Sequence, residues 1–231
     1  MRAGRRALRR GLGPANRHAL VGPEDLWEPK RRFQFEFLTS HGLRPQHRLL
    51  DIGCGTLRGG LPLIEYLQPG HYTGIEARAA VLEEGRKELT EAGLTHKQPV
   101  LVCASDPAQI ELDAPFDFVW AFSVLIHLSD ELVDGYLRLV ARSLTESGKF
   151  YANVMLGERR AAQWQGFPVL SRPRDSYQAW AEAHALSMAE VGTLEQLGHR
   201  MGTGDREVML CFRRAASVPG PDVSGRAAAR T

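Results

Sequence analysis

The sequence predicts an α/β sandwich of three layers, a mostly parallel sheet with helices on both faces. Two observations predict it. From about residue 24 to Met155, short strand-like runs alternate with longer stretches of helical spacing. The clearest run, residues 116–122, is nearly all apolar, as a strand covered on both faces is. The chain has 231 residues, 43% hydrophobic and 24% charged, which suits one domain with short tails. A chain of this size buries roughly 70% of the surface its unfolded form exposes and needs no staples.

Residues 1–23 carry six arginines (Arg2, Arg5, Arg6, Arg9, Arg10 and Arg17) and no acid, although the whole chain has a formal charge of only +2. This reads as a solvated, disordered leader, with a transit peptide or a nucleic-acid arm as alternatives. The domain proper is expected at 24–214. Within it, residues 30–40 place Phe33, Phe37 and Leu38 on one helical face, with Gly42 as the stop. Past Pro45, residues 48–52 form a short buried strand, followed by a glycine-rich turn. A helix then runs near 61–67, with Pro62 in its first turn.

Residues 72–76 are a second strand and 80–92 a helix, with Val81, Leu82 and Leu89 on one side and Gly93 as the stop. Residues 100–103 and 116–122 are the third and fourth strands. Ser129 caps a helix opened by Asp130 and Glu131, whose apolar repeat runs toward Gly148. Residues 149–155 are the fifth strand. Residues 156–174, with Gly166, Pro168 and Pro173, read as a loop. A helix at 176–185 and strands at 186–194 and 207–212 close the domain. Residues 215–231, rich in Ala, Gly, Pro and Arg, read as a disordered tail.

The chemistry is written at the end of the first strand, in Asp51-Ile52-Gly53-Cys54-Gly55-Thr56-Leu57-Arg58-Gly59-Gly60. Ligands of open α/β sheets bind past the carboxyl ends of the strands, where glycines let the backbone approach them. Glu76 ends the second strand, where a carboxylate can accept bonds from both ribose hydroxyls. A dinucleotide fingerprint requires a glycine three residues after Gly55, and Arg58 stands there. Asp51 opposes a pyrophosphate and suits an ammonium group. Both features disfavour a dehydrogenase.

Leu50-Asp51-Ile52-Gly53-Cys54-Gly55 followed by Gly74-Ile75-Glu76 resembles the first two motifs of class I S-adenosylmethionine-dependent methyltransferases. Residues 116–120, 123–128 and 148–150 resemble the fourth strand, its following turn and the entry to the fifth strand in that superfamily. The resemblance implies a Rossmann-like, seven-stranded sheet ending in an antiparallel hairpin, with S-adenosyl-L-methionine as cofactor. It implies that Asp51, Gly53, Cys54 and Gly55 hold the methionine part, that Glu76 holds the ribose, and that Ser123 belongs to the cofactor site. Asp106 would lie near the adenine amino group, although Asp106-Pro107 is equally a plain turn pair.

A sulfonium methyl is reactive already, so such an enzyme must align an acceptor and, where needed, remove a proton. His127, just past the fourth strand, is the candidate base, with packing beside the cofactor as its alternative role. His199 is a second candidate. Trp27, Phe33 and Gln34 fit a lid, with the core the preferred place for Phe33, and Trp164, Phe167, Tyr177 and Trp180 fit an acceptor pocket, although Tyr177 and Trp180 are also what a packed helix shows.

No Asn-Pro-Pro-Tyr-like stretch follows the fourth strand, which argues against methylation of adenine or glutamine amino groups. There is also no Pro-Cys thiol for cytosine chemistry. A small-molecule acceptor, through oxygen or nitrogen, is therefore expected. Its rivals are a nucleic-acid methyltransferase that uses the leader, and a non-catalytic binding module on the same fold. Cys54, Cys103 and Cys211 form no CxxC pair, which suggests a reducing, cytoplasmic setting without structural zinc. No apolar run of about 18 residues is present, so no membrane span is expected.

Overall fold

The computed structural model describes residues 17–113, 115–164, 166–199 and 207–215. Five strands in chain order, β1 (Leu49–Ile52), β2 (Tyr72–Glu76), β3 (Val100–Cys103), β4 (Phe116–Ala121) and β5 (Leu144–Leu156), lie parallel in the order β3-β2-β1-β4-β5. Strand order reverses between β1 and β4, which opens a crevice at their carboxyl ends. Beyond β5, β9 (Glu207–Arg214) runs antiparallel and pairs in turn with β8 (Leu186–Thr193). These are the seven strands expected, including the antiparallel pair.

Side chains alternate across the sheet, as the two-residue period of a strand dictates. Leu50, Ile52, Val119 and Ala121 face one way, packing on Val133, Leu137 and Val140 of α4 (Asp130–Ser143) and on Tyr177 and Ala181 of α5 (Arg174–Ala183). Leu49, Phe118 and Trp120 face the other way. They meet Phe33, Phe37 and Leu38 of α1 (Trp27–Ser40), Leu61 and Ile64 of α2 (Gly60–Tyr66), and Leu82 and Leu89 of α3 (Ala79–Glu91). Trp120 is fully buried, and its indole N–H donates to Gln34 Oε1 at 2.9 Å, which meets the polar requirement of that burial. Gln34 and Phe33 therefore dock α1 onto the sheet instead of forming a lid.

Three expectations need correction. The α4 helix stops at Ser143, and β5 begins at Leu144, paired with Phe116, where helix was expected as far as Gly148. Residues 156–174 are not a loop. β6 (Arg160–Trp164) and β7 (Phe167–Arg172) form an antiparallel hairpin, with Gly166 at φ +82° in its turn, so the sheet has nine strands. Pro168 sits opposite Gln163, one pair in from the turn, where the missing N–H would face outward and the ladder loses nothing.

The leader, expected to be disordered through residue 23, is packed from Arg17 onward. The Arg17 guanidinium is buried beside Glu84, Glu88 and Glu91 of α3, at 3.5, 3.6 and 2.6 Å. Residues 1–16 and 216–231, which hold the rest of the leader and nearly all the expected tail, lie outside the described residues.

The hairpin's position follows from register. Met155 pairs with Glu207 of β9 on one edge and with Ser171 of β7 on the other. Hence β7 continues on the β4 side of β5, past the point where β4 ends at Ala121. The hairpin stands over the carboxyl end of the sheet, where the crevice opens.

Candidate functional site

The turn after β1 is hung from the end of β2. The Gly53 and Cys54 N–H groups both donate to Ile75 O, at 2.8 and 3.0 Å, and the Gly55 N–H donates to Glu76 Oε2 at 3.1 Å. Gly53 and Gly55 hold φ of +72° and +60°, a conformation that strains any residue with a Cβ. The bend thus needs its glycines, and it draws the β2 carboxylate against it.

Glu76 is buried, and its other oxygen accepts from the Arg78 backbone N–H at 3.0 Å and from Arg78 Nε at 2.9 Å. Asp51, also buried, accepts from the Tyr72 hydroxyl at 2.6 Å. Burial pushes its carboxyl up to about 7; the Tyr72 bond opposes the rise, Glu76 adds to it and Arg58 subtracts from it. Cys54 turns its side chain inward: a Cβ on Gly74 would stand 2.9 Å from its sulfur. Burial drives this thiol far above its ordinary range, with Asp51 and Glu76 adding to the rise, so only its backbone faces the crevice.

Arg58 lies beside Asp51, and Lys30 lies beside Arg58. Arg58 is buried with its Nε unpartnered, and burial brings it down to about 10, with Asp51 resisting. Lys30 is lowered to about 8, mainly by burial and then by Arg58. A ligand bearing vicinal hydroxyls, an ammonium and a carboxylate would find complementary groups here in Glu76, Asp51 and Arg58. S-adenosylmethionine has all three. Among the described residues there is no cluster of His, Cys, Asp and Glu able to hold a metal ion.

Asp106 caps the one-turn helix Pro107–Gln109; one oxygen accepts from the Ala108 N–H at 2.9 Å and the other from Gln109 Nε2 at 3.1 Å. The structure therefore shows the turn-pair role. Tyr136 of α4 was missed from sequence. Burial, then the charges of Glu76 and Asp106, push its phenol up to about 12. Its place in an apolar helical repeat gave no signal of this.

Ser123, past the end of β4, has φ +57°, and its N–H donates to Asn153 Oδ1 at 2.7 Å. Val124 then packs against Gly53. His127 ends the one-turn helix Leu125–His127, and its Nδ1 donates to Pro168 O at 2.6 Å. A carbonyl only accepts, so Nδ1 carries the proton and Nε2 of the neutral ring keeps its lone pair.

The hairpin tip joins the two sides of the crevice. The Phe167 ring is 6.0 Å from that of His127 and 5.5 Å from the Arg78 guanidinium, which in turn holds Glu76. Phe167 is 40% exposed, one of only two large apolar side chains so open among the described residues. Tyr177, open between an acceptor pocket and a packed helix in the sequence, is fully buried in the core, and Trp180 packs at its edge over Arg172. The Trp164 side chain lies outside the described residues. His199 is buried between Phe33 and Phe122, with ring centroids 4.6 and 5.3 Å away. Burial, helped by Lys30 and Arg58, lowers it to about 4, so it is uncharged at neutral pH.

A segment not expected to fold crosses the turn. A Cβ on Gly55 would stand 2.8 Å from Val21 Cγ1. Arg58 donates to Val21 O at 2.8 Å, Arg78 donates to Leu20 O at 3.3 Å, and His18 stacks on Trp27 with centroids 3.6 Å apart.

Residues 50–150 match the family model described as a methyltransferase domain. The solved structures similar to this chain include magnesium protoporphyrin IX methyltransferase from Synechocystis PCC 6803 with bound S-adenosylmethionine. It has a TM-score of 0.63 and 16% identity, over 86% of this chain and 89% of that one. A Clostridium acetobutylicum ATCC 824 S-adenosylmethionine-dependent methyltransferase gives 0.62 and 11%, over 82% and 92%. A glycopeptide N-methyltransferase gives 0.61 and 18%, over 80% and 90%.

Proposed function

We propose that this chain, whose residues 50–150 match a methyltransferase domain model, is an S-adenosylmethionine-dependent methyltransferase that methylates an oxygen or nitrogen of a small molecule, with His127 taking the acceptor's proton. The observation that carries this reading is the hairpin tip: Phe167 closes the space between Arg78, on the Glu76 side, and His127. An exposed aromatic ring beside His127 gives an acceptor a surface to lie against, which favours a small ligand over a polynucleotide. The similar structures include enzymes named for a porphyrin and for a glycopeptide nitrogen, and these names are compatible with that class.

In this reading Glu76 accepts from the ribose hydroxyls, Asp51 faces the ammonium, and Arg58 and Lys30 take the carboxylate. Gly53 and Gly55 hold the left-handed bend, at φ +72° and +60°, that brings the turn against Glu76. When bound, the cofactor supplies a methyl group already activated by the sulfonium charge. Phe167 and the Ser123–His127 turn hold the acceptor in line, and alignment of this kind is worth several kcal/mol. His127 Nε2 accepts the proton shed by the acceptor's O–H or N–H as its bond to carbon forms and the carbon–sulfur bond breaks toward sulfur. A base so placed contributes about 10²–10⁴-fold.

The test is calorimetry with S-adenosylmethionine, S-adenosylhomocysteine and a nicotinamide dinucleotide, followed by a metabolite screen for methyl transfer. Binding of the first two ligands and turnover of a small acceptor are expected. Salt-dependent methylation of RNA, with no small acceptor turned over, would overturn the substrate class.

A further inference from the structure

Arg172, the last residue of β7, has no exposed surface. A guanidinium in that position persists only when its donors are matched. Its Nε donates to Asp130 Oδ1 at 2.7 Å, one Nη to Leu128 O at 2.5 Å, and the other to Leu125 O at 3.4 Å. Asp130 is fixed in turn by Arg159, 2.7 Å from its second oxygen. Burial works against the Asp130 charge, but the bonds from Arg172 and Arg159 outweigh it and hold the carboxyl below its ordinary range.

Leu125 opens, and Leu128 follows, the one-turn helix that carries His127. Arg172 therefore grips the backbone on both sides of the histidine. Pro168, four residues earlier on the same strand, grips the ring through Nδ1. One ladder fixes both holds, because β7 pairs with β6 from Phe167 to Ser171 and with β5 at Ser171 and Arg172. Leu125 and Ile126 of that turn are buried in the core, whereas the His127 ring at its end meets β7 at Pro168 and Phe167, so the strand decides where the histidine points.

We propose that Arg172 is a positioning residue for proton removal: through the carbonyls of Leu125 and Leu128 it sets the His127 ring against Pro168, which leaves Nε2 as the proton-accepting atom. This rests on the reading of His127 as the base. It assigns the hairpin a second task besides walling the crevice, namely fixing the tautomer of the histidine beneath it.

The experiment uses the full chain, labelled with ¹⁵N, at a pH where the ring is neutral. Long-range ¹H–¹⁵N correlations of the imidazoles are recorded, with His127→Gln to assign the resonance. The wild type is expected to show a protonated Nδ1 and a bare Nε2. In Arg172→Met, a replacement of similar length that leaves Asp130 to Arg159, the two nitrogens are expected to move toward the averaged shifts of a freely exchanging ring. Affinity for S-adenosylhomocysteine should be unchanged. Should Arg172→Met not fold, Arg172→Lys, which keeps the charge beside Asp130 but cannot span both carbonyls, carries the same readout.

A folded variant with the wild-type His127 signature overturns the proposal, as does a wild-type ring protonated at Nε2. The tautomer is read on the free protein. Failure of the wild type to bind S-adenosylhomocysteine would thus strike the cofactor reading alone. If a screened acceptor is turned over equally by His127→Ala, the base reading falls, and the proposal that rests on it falls too.

Discussion

The Gly55 N–H donates to Glu76 Oε2 at 3.1 Å, a buried bond that ties the glycine turn after β1 to the carboxylate ending β2. Arg78 holds the opposite oxygen of the same carboxylate. Glu76 is therefore fixed in orientation before any ligand arrives, and the ordering cost of binding is reduced.

Glu76→Ala removes the proposed ribose partner and leaves the Gly55 N–H without its acceptor. Hydrogen bonds to a charged group are worth about 1.5–3 kcal/mol each, so S-adenosylmethionine affinity is expected to fall by about one to two orders of magnitude. Glu76→Gln keeps one oxygen for Gly55 and is expected to lose less. Calorimetry on the two variants checks the order, and equal affinity in all three proteins would remove Glu76 from the site.

Asp51 supplies a pH dependence. Its carboxyl is raised from 3.8 to about 7 by burial, and an incoming ammonium favours the ionised form. Binding at a pH below about 7 must then release a proton. Affinity is expected to climb with pH, by up to about tenfold per unit, and to level off above that value. In the free protein the sign is opposite. Between 3.8 and about 7 the folded state keeps a proton that the unfolded chain has lost, so this group's contribution falls as pH rises. Asp51→Asn should flatten both profiles, measured by titration in buffers of different ionisation enthalpy and by thermal unfolding.

Much of the scaffold was readable from the residues themselves. Alternation in Leu49-Leu50-Asp51-Ile52 and Phe118-Val119-Trp120-Ala121 sends side chains to opposite faces of the sheet, and the two core clusters divide along it. The hairpin was hidden because Gly166, Pro168 and Pro173 signal interruption, and Arg160-Ala161-Ala162-Gln163 lacks apolar alternation. Trp164 and Phe167 on either side of a two-residue turn were the available signal, since aromatic cross-strand pairs stabilise hairpins. Arg172 could not be read at all, because its partners lie more than forty residues earlier. Arg17 looked like one more solvated cation. Only the fold brings Glu84, Glu88 and Glu91 to it, since α3 lines them up at helical spacing.

The segment from Arg17 to Val21 lies over the turn, and its ion pairs bear on ligand exchange. The Arg17 guanidinium is held by Glu91, Glu88 and Glu84, and its Glu91 bond, opposed by burial, raises it above its ordinary value. Arg17→Ala is expected to raise both association and dissociation rates of S-adenosylhomocysteine, and to open the segment to trypsin. High salt should act on the wild type in the same direction. Rates unaffected by either change would show that ligand passes without disturbing this segment.

Asn153 accepts from the Ser123 N–H at 2.7 Å and donates to Glu207 Oε1, with no exposed surface. Asn153→Ala leaves a buried N–H unmatched beneath a residue at φ +57°. The cost is about 1–3 kcal/mol for the orphaned donor, read as a lower midpoint in urea with an unchanged slope. An unaltered midpoint would mean that the turn after β4 is set by other contacts.

His127→Ala separates chemistry from binding. The ring touches Pro168 and Phe167, whereas the groups proposed to hold the cofactor are Asp51, Glu76, Arg58 and Lys30. Removing it should leave cofactor affinity intact and lower turnover of a screened acceptor by about 10²–10⁴-fold. Raising the pH should restore part of the loss for an acidic acceptor such as a phenol, because the acceptor then arrives already deprotonated and alignment by Phe167 and the Ser123–His127 turn is undisturbed. A ring that only packs beside the cofactor predicts the reverse pattern: weaker S-adenosylmethionine binding, little change in turnover at saturation, and no recovery at high pH. The recovery experiment therefore decides whether Nε2 takes a proton or fills space.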